Sequence, residues 1–157
     1  MSDLRAMMTR QVRDGRVAWI GLRAARRAEV HAVASADVTA EGLAGDHAGA
    51  GLRAVTLIQA EHLPVIAALC DGAVTPEGLR RNIVVSGINL ASMRKRNVAV
   101  GGAVLHLVGP CPPCSRMEET LGRGGYQAVR HHGGWYAEVV TPGTVAVGDA
   151  VRPAEAA

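Results

Sequence analysis

Asn97-Val98-Ala99-Val100, then Gly101-Gly102, then Ala103-Val104-Leu105-His106-Leu107-Val108 is the stretch that decides the fold. Two apolar, β-prone runs flank a glycine pair, which is the pattern of a hairpin closed by a tight turn. The same pattern of short strands and turns extends outward on both sides. Upstream, 82–86 (NIVVS) reads as a strand ended by Gly87, and 54–59 (AVTLIQ) as a buried strand. Residues 16–22 (RVAWIGL) make a first strand and 30–36 a second. Between them and the buried strand, Gly42-Leu43-Ala44-Gly45-Asp46-His47 opens a glycine-rich loop that runs to about Leu52. Downstream, 135–140 and 144–147 read as a final hairpin around Pro142-Gly143, and Gly148-Asp149 leads into a last short strand.

Helical signals are fewer. From Ala60 the period changes, so that Leu63, Ile66, Ala67 and Cys70 share one face, with Pro64 tolerated in the first turn. Ser115 to Leu121 reads as a short helix, and 126–131 as another. Seven or eight strands with two or three short helices predict a mainly β (α+β) fold, a small closed or partly closed β-barrel. The strands do not alternate regularly with helices, which argues against a doubly wound sheet. With no repeat, linker or composition break, the 157 residues read as one domain over 16–152. Residues 1–15 are expected to be a mobile N-terminal extension and 153–157 a C-terminal tail.

Composition narrows the function. There is no Phe, so the core must pack aliphatic side chains closely, and 19 glycines suit many tight turns. No apolar stretch approaches the ~20 residues that span a bilayer, and Met1 to Gly15 lacks a signal-peptide core. The expectation is a cytoplasmic protein with no membrane association. Three cysteines, an odd number, point to thiol or metal chemistry rather than a disulfide framework. Lys95 is the only lysine among 17 Lys and Arg, and it sits in the solvated run Arg94-Lys95-Arg96. A Schiff-base lysine needs desolvation, so pyridoxal phosphate is not expected. No basic stripe with interleaved aromatics is present, which excludes a nucleic-acid partner.

The sharpest chemical feature is Gly109-Pro110-Cys111-Pro112-Pro113-Cys114, entering the helix at Ser115. Two prolines stiffen the loop and fix where the thiols point. The helix start and Arg116 both favour a Cys114 thiolate, the form that attacks or binds a soft metal. Alternatives stay open on the residues alone: a Cys-x-x-Cys redox pair, half a zinc site completed by His131, His132 or His106, or a merely stiffened loop. Cys70 reads as core. A second cluster, Leu79-Arg80-Arg81-Asn82, lies before a strand, and Arg53 lies before the preceding one. Arginines there could converge on an anion or form a solvated rim. Arg23, Arg26 and Arg27 form a similar group. His47 could orient a ligand or simply pair with Asp46.

Taken in order, these motifs resemble the MOSC family, named for the C-terminal domain of molybdenum cofactor sulfurases. The resemblance rests on Ile20-Gly21-Leu22-Arg23, Gly42 to His47, Val55-Thr56-Leu57-Ile58 and Leu79-Arg80-Arg81-Asn82-Ile83. It continues through Gly87-Ile88-Asn89-Leu90, the Cys111–Cys114 segment and Gly148-Asp149. It implies a β-barrel that binds the molybdenum cofactor, molybdopterin with its terminal phosphate. Cys114 matches the thiol that ligates molybdenum or carries sulfur as a persulfide. Arg80 and Asn82 match an Arg-x-Asn step that lines the cofactor pocket, with Arg53, Arg23, His47, Thr56 and Cys111 around it. Arg81 stands where an amidoxime-reducing branch often has Pro. The implied roles are cofactor sulfuration or transfer with a cysteine desulfurase partner, or a molybdenum-dependent reductase of N-hydroxylated compounds. The reductase would need separate flavin and iron–sulfur partners.

Overall fold

A computed structural model describes residues 3–154; the end of the C-terminal tail, 155–157, lies outside the described residues. The chain starts with a short helix α1 (Leu4–Thr9), capped by the Asp3 carboxylate. Four strands follow: β1 (Gly15–Arg23), β2 (Val30–Val33), β3 (Ser35–Thr39) and β4 (Gly42–Leu43). Then come β5 (Val55–Gln59), α2 (His62–Ala68), α3 (Pro76–Leu79), β6 (Ile83–Ser86) and a 3-10 turn at Leu90–Met93. The hairpin β7 (Asn97–Val100) and β8 (Ala103–Pro110) leads to α4 (Ser115–Leu121) and α5 (Gly125–Val129). The chain ends on β9 (Trp135–Thr141), β10 (Gly143–Ala146) and β11 (Ala150–Pro153).

Seven strands, in the order β11-β7-β8-β9-β5-β6-β1, close into a barrel because β1 also pairs with β11. The expected barrel is therefore present, with a few short helices. The length of β1 makes closure possible. Its first residues pair with β11 and its last with β2, while β6 occupies the other edge. Among the described residues only β5 and β6 run parallel, joined by α2 and α3 packed outside the sheet. A parallel pair needs such a crossover. Both strands are consequently buried on two faces. Leu57, Ile83 and Val85 point into the barrel with Val55, Leu105, Leu107 and Val151. The alternate residues Ile58 and Val84 pack outward against Ile66, Leu79, Met117, Leu121 and Val129. Cys70 joins this outer cluster, as a small apolar residue should.

Two expectations need correction. Residues 30–36 are not one strand. The chain breaks at Ala34, so that β2 extends the barrel sheet and β3 joins a second sheet, β10-β3-β4. Nor do 135–140 and 144–147 form a hairpin. β9 pairs with β8 and β5, whereas β10 pairs with β3. Pro142 has no N–H to begin a ladder. Gly143 crosses so closely over the β7–β8 turn that a Cβ there would stand 2.1 Å from the Gly102 carbonyl. The Pro-Gly pair thus moves the chain between sheets instead of folding it back.

Candidate functional site: an arginine-lined cavity beside two thiols

A cavity of about 520 Å³ opens on the outer face of β5, within the ~300–1,000 Å³ range of small-molecule sites. Its walls are the segment 47–50 with Arg53, the Cys111–Cys114 segment, Met117 of α4 and Tyr136 of β9. Thr56 and Arg81 reach it from the sheet, and Arg23 from the end of β1. Among the described residues, three guanidiniums and no carboxylate line it.

Arg23 is held from behind. Its Nη2 and Nε donate to Asp46 at 2.8 and 3.1 Å, and its backbone N–H donates to the same carboxylate at 2.7 Å. The side chains are 13% and 1% exposed. Burial alone would raise the Asp46 carboxyl. The hydrogen bonds and charge of Arg23, with the Ala48 N–H, outweigh that and hold it below its ordinary value of 3.8. Because the folded-state value is the lower one, this stabilisation is complete above the ordinary value and is lost as pH falls through the lowered one. Asp46→Asn should therefore flatten the acid limb of the stability curve below about pH 4. Urea midpoints measured across pH check this; an unchanged acid limb would count against the pairing.

Asn82 completes the support. Fully buried, it accepts at Oδ1 from Thr56 N, Thr56 Oγ1 and Arg23 Nη2. Its Nδ2 donates to the Gly21 carbonyl and to Asp46 at 3.1 Å each. Its side chain is thus spent inside the protein, behind the cavity wall rather than on it. Arg80 does not reach the cavity either. It caps α3 with a left-handed backbone (φ 59°), and its guanidinium donates to the carbonyls of Ala28 and Ala25 in the β1–β2 connection. There it faces a separate concavity with Arg27 and Arg116. Burial and the like charges of Arg116 and Arg23 lower its pKa.

Of the sequence-predicted set, the structure brings together Cys114, Cys111, Arg23, Arg53, His47 and Thr56. Arg53 stacks over the Tyr136 ring, 4.7 Å from its centroid. Gly109 leaves room for that ring, since a Cβ there would approach the Tyr136 hydroxyl to 2.9 Å. Cys114 is exposed and Cys111 buried. Burial pushes the Cys111 thiol up, against the pull of Arg81, Arg53 and Arg23. The chain from Cys111 to Cys114 has neither turn nor bend. Three residues of extended or polyproline-like chain span about 9–10 Å, beyond the ~7 Å limit for a disulfide. Both cysteines are free, as that backbone span across Pro112 and Pro113 requires.

Sequence reasoning missed Tyr136 and Met117, and from the Arg80-Arg81 pair it chose Arg80 for the pocket where the structure places Arg81. A usable signal existed for Arg81: Thr75-Pro76 is a helix start, with the Thr75 hydroxyl accepting from Gly78 N. A helix read there turns Arg80 into its cap and leaves Arg81 beside the buried Asn82.

Comparison with solved structures gives similar folds. The YuaD protein from Bacillus subtilis superposes with a TM-score of 0.77 at 19% identity, over 88% of this chain and 94% of that one. YiiM from Geobacillus stearothermophilus gives 0.72 at 16% identity, covering 90% and 75%. YiiM from Escherichia coli gives 0.66 at 20%, covering 90% and 71%. Among curated proteins no significant match is found. Residues 44–152, which carry the cavity's thiols, Arg53, Arg81 and Tyr136, match the MOSC domain family. The chain belongs to that family.

Proposed function

We propose that this protein binds the molybdenum cofactor in the arginine-lined cavity and presents it to Cys114, in cofactor sulfuration or transfer. The observation that carries the reading is an exposed thiol on the wall of a cavity lined by Arg23, Arg53 and Arg81 and, among the described residues, by no carboxylate. The donor set fits the group. A thiolate is a soft ligand suited to molybdenum or to carrying sulfur, guanidinium forks suit a phosphate, and Tyr136 with Arg53 offers a flat face to a ring. When bound, the cofactor would supply the metal and its dithiolene sulfurs. The protein's residues do the rest: Cys114 supplies the thiol, His47 and Thr56 line the approach, and Asn82 and Asp46 fix Arg23 in place.

Two competing readings of the same motif lose support from the geometry. A Cys-x-x-Cys redox pair needs its sulfurs within bonding reach, and the extended Pro-Pro step keeps them apart. A zinc site needs converging ligands, and no group of three or more His, Cys, Asp or Glu is placed to hold a metal among the described residues. The test is composition after expression in a host that makes the cofactor. The purified protein should carry substoichiometric molybdenum and release a fluorescent pterin on oxidation. One tightly held zinc per chain with no pterin would overturn the proposal.

A further inference from the structure

We infer that Arg81 is the fixed anion anchor of this cavity, seating one oxyanion of phosphate type beside Cys111. The inference deepens the cofactor reading and rests on it only for the identity of the cavity. Arg81 is 7% exposed, the most buried guanidinium in the cavity wall. Its Nε donates to the Gly133 carbonyl at 2.7 Å and its Nη1 to the Leu79 carbonyl at 2.9 Å. Both partners are neutral. Among the described residues no carboxylate lies within ion-pair distance of Arg81, and its Nη2 has no hydrogen-bond partner. A buried cation without a counter-charge is costly, because desolvation is not offset by attraction.

The other two cations are differently placed. Arg23 is neutralised by Asp46, and Arg53 is exposed and leans on Tyr136. The cavity therefore holds a net positive charge whose rigid centre is Arg81. Its orientation is set by carbonyls on both sides, so the free edge of the fork needs no reorganisation to receive an oxyanion. Gly133, which it grips, precedes Gly134, whose carbonyl accepts from Cys111 N at 2.8 Å. Gly134 has φ +93°, and a Cβ there would stand 2.1 Å from the Leu57 carbonyl, so this turn is fixed as well. Arg81 and the thiol loop are thus attached to one rigid turn.

The test uses inorganic pyrophosphate, inorganic phosphate and phenyl phosphate as probes, by calorimetry on the full chain at constant ionic strength in chloride. Pyrophosphate should bind the parent protein and slow alkylation of Cys114 by iodoacetamide. Arg81→Met should weaken this binding by about tenfold or more, the scale of a lost charge-assisted hydrogen bond. Arg94→Met, in an exposed turn, should leave it unchanged. Should Arg81→Met fail to fold, Arg81→Lys gives the same reading, because an ammonium cannot reproduce the fork and should also bind clearly more weakly. Tighter binding of phenyl phosphate than of phosphate assigns the oxyanion to a ring-bearing ligand, and equal binding assigns it to free phosphate. The inference is overturned if no probe binds the parent, or if a folded Arg81 variant binds pyrophosphate as tightly as the parent. Neither readout involves molybdenum, so pterin content can fail while this holds, and the reverse.

Discussion

Asn82→Ala should destabilise the protein by about 3–5 kcal/mol, the largest single-residue loss we expect outside the apolar core. The side chain is fully buried and satisfies groups on two strands and a loop: Thr56 of β5, Gly21 and Arg23 of β1, and the Asp46 carboxylate in the loop after β4. Alanine removes all of these at once and leaves a buried N–H, a carbonyl and a carboxylate each short of a partner. One such group costs about 1–3 kcal/mol, and water entering the gap relieves part of the sum. The Asp46 ion pair with Arg23 also loses its brace, so ligand binding should weaken along with stability. Asn82→Asp should be no rescue at neutral pH. It places a second carboxylate against Asp46 and replaces a donating Nδ2 by an acceptor. Urea unfolding with an unchanged m-value checks the prediction; a loss under about 1 kcal/mol would mean that the network is not the support described here.

The second large effect is functional. Cys114→Ser should abolish cofactor retention and persulfide formation while leaving the fold intact, because the residue is exposed and its side chain makes no capping bond. Serine keeps the size but offers a hard, poorly ionised oxygen in place of a soft thiolate. Cys70→Ser should leave cofactor content unchanged. Cys70 packs into the outer cluster with its sulfur 3.8 Å from the Gly72 carbonyl, far from any role in the cavity wall. Cys111→Ser should have an intermediate or small effect, since the thiol lines the same cavity but is buried where Cys114 is exposed. Molybdenum and pterin content of the three variants, with thermal stability alongside, separates these outcomes.

The barrel was readable because its strands follow simple rules. Gly101-Gly102 marks a turn, and the largely apolar, β-branched run around Leu57 and Ile58 marks a strand buried on both faces. What escaped the sequence was long-range. Nothing local in Pro142-Gly143 distinguishes a hairpin turn from a crossing between sheets, because the distinction depends on Gly102 lying beneath it. The site shows the same division. Cys114, Cys111, Arg23, Arg53, His47 and Thr56 come together as the motifs suggest. Within Arg80-Arg81-Asn82, however, the direction of each side chain is set by the left-handed cap at Arg80, which the residue type at 80 does not announce and which only the helix start at Thr75-Pro76 hints at. One rotated residue sends Arg80 to the β1–β2 connection and brings Arg81 into the cavity.

The most direct test of the account is the reactivity of Cys114 with and without the cofactor, mapped by mass spectrometry after brief alkylation. In the cofactor-free protein Cys114 should be modified first and Cys111 slowly, as its burial and raised pKa require. Loading the cofactor should protect Cys114 and leave the rate at Cys70 unchanged, and prior alkylation of Cys114 should prevent loading. If Cys114 stays equally reactive while the cofactor is bound, or if the alkylated protein takes up the cofactor as the parent does, the central assignment is wrong.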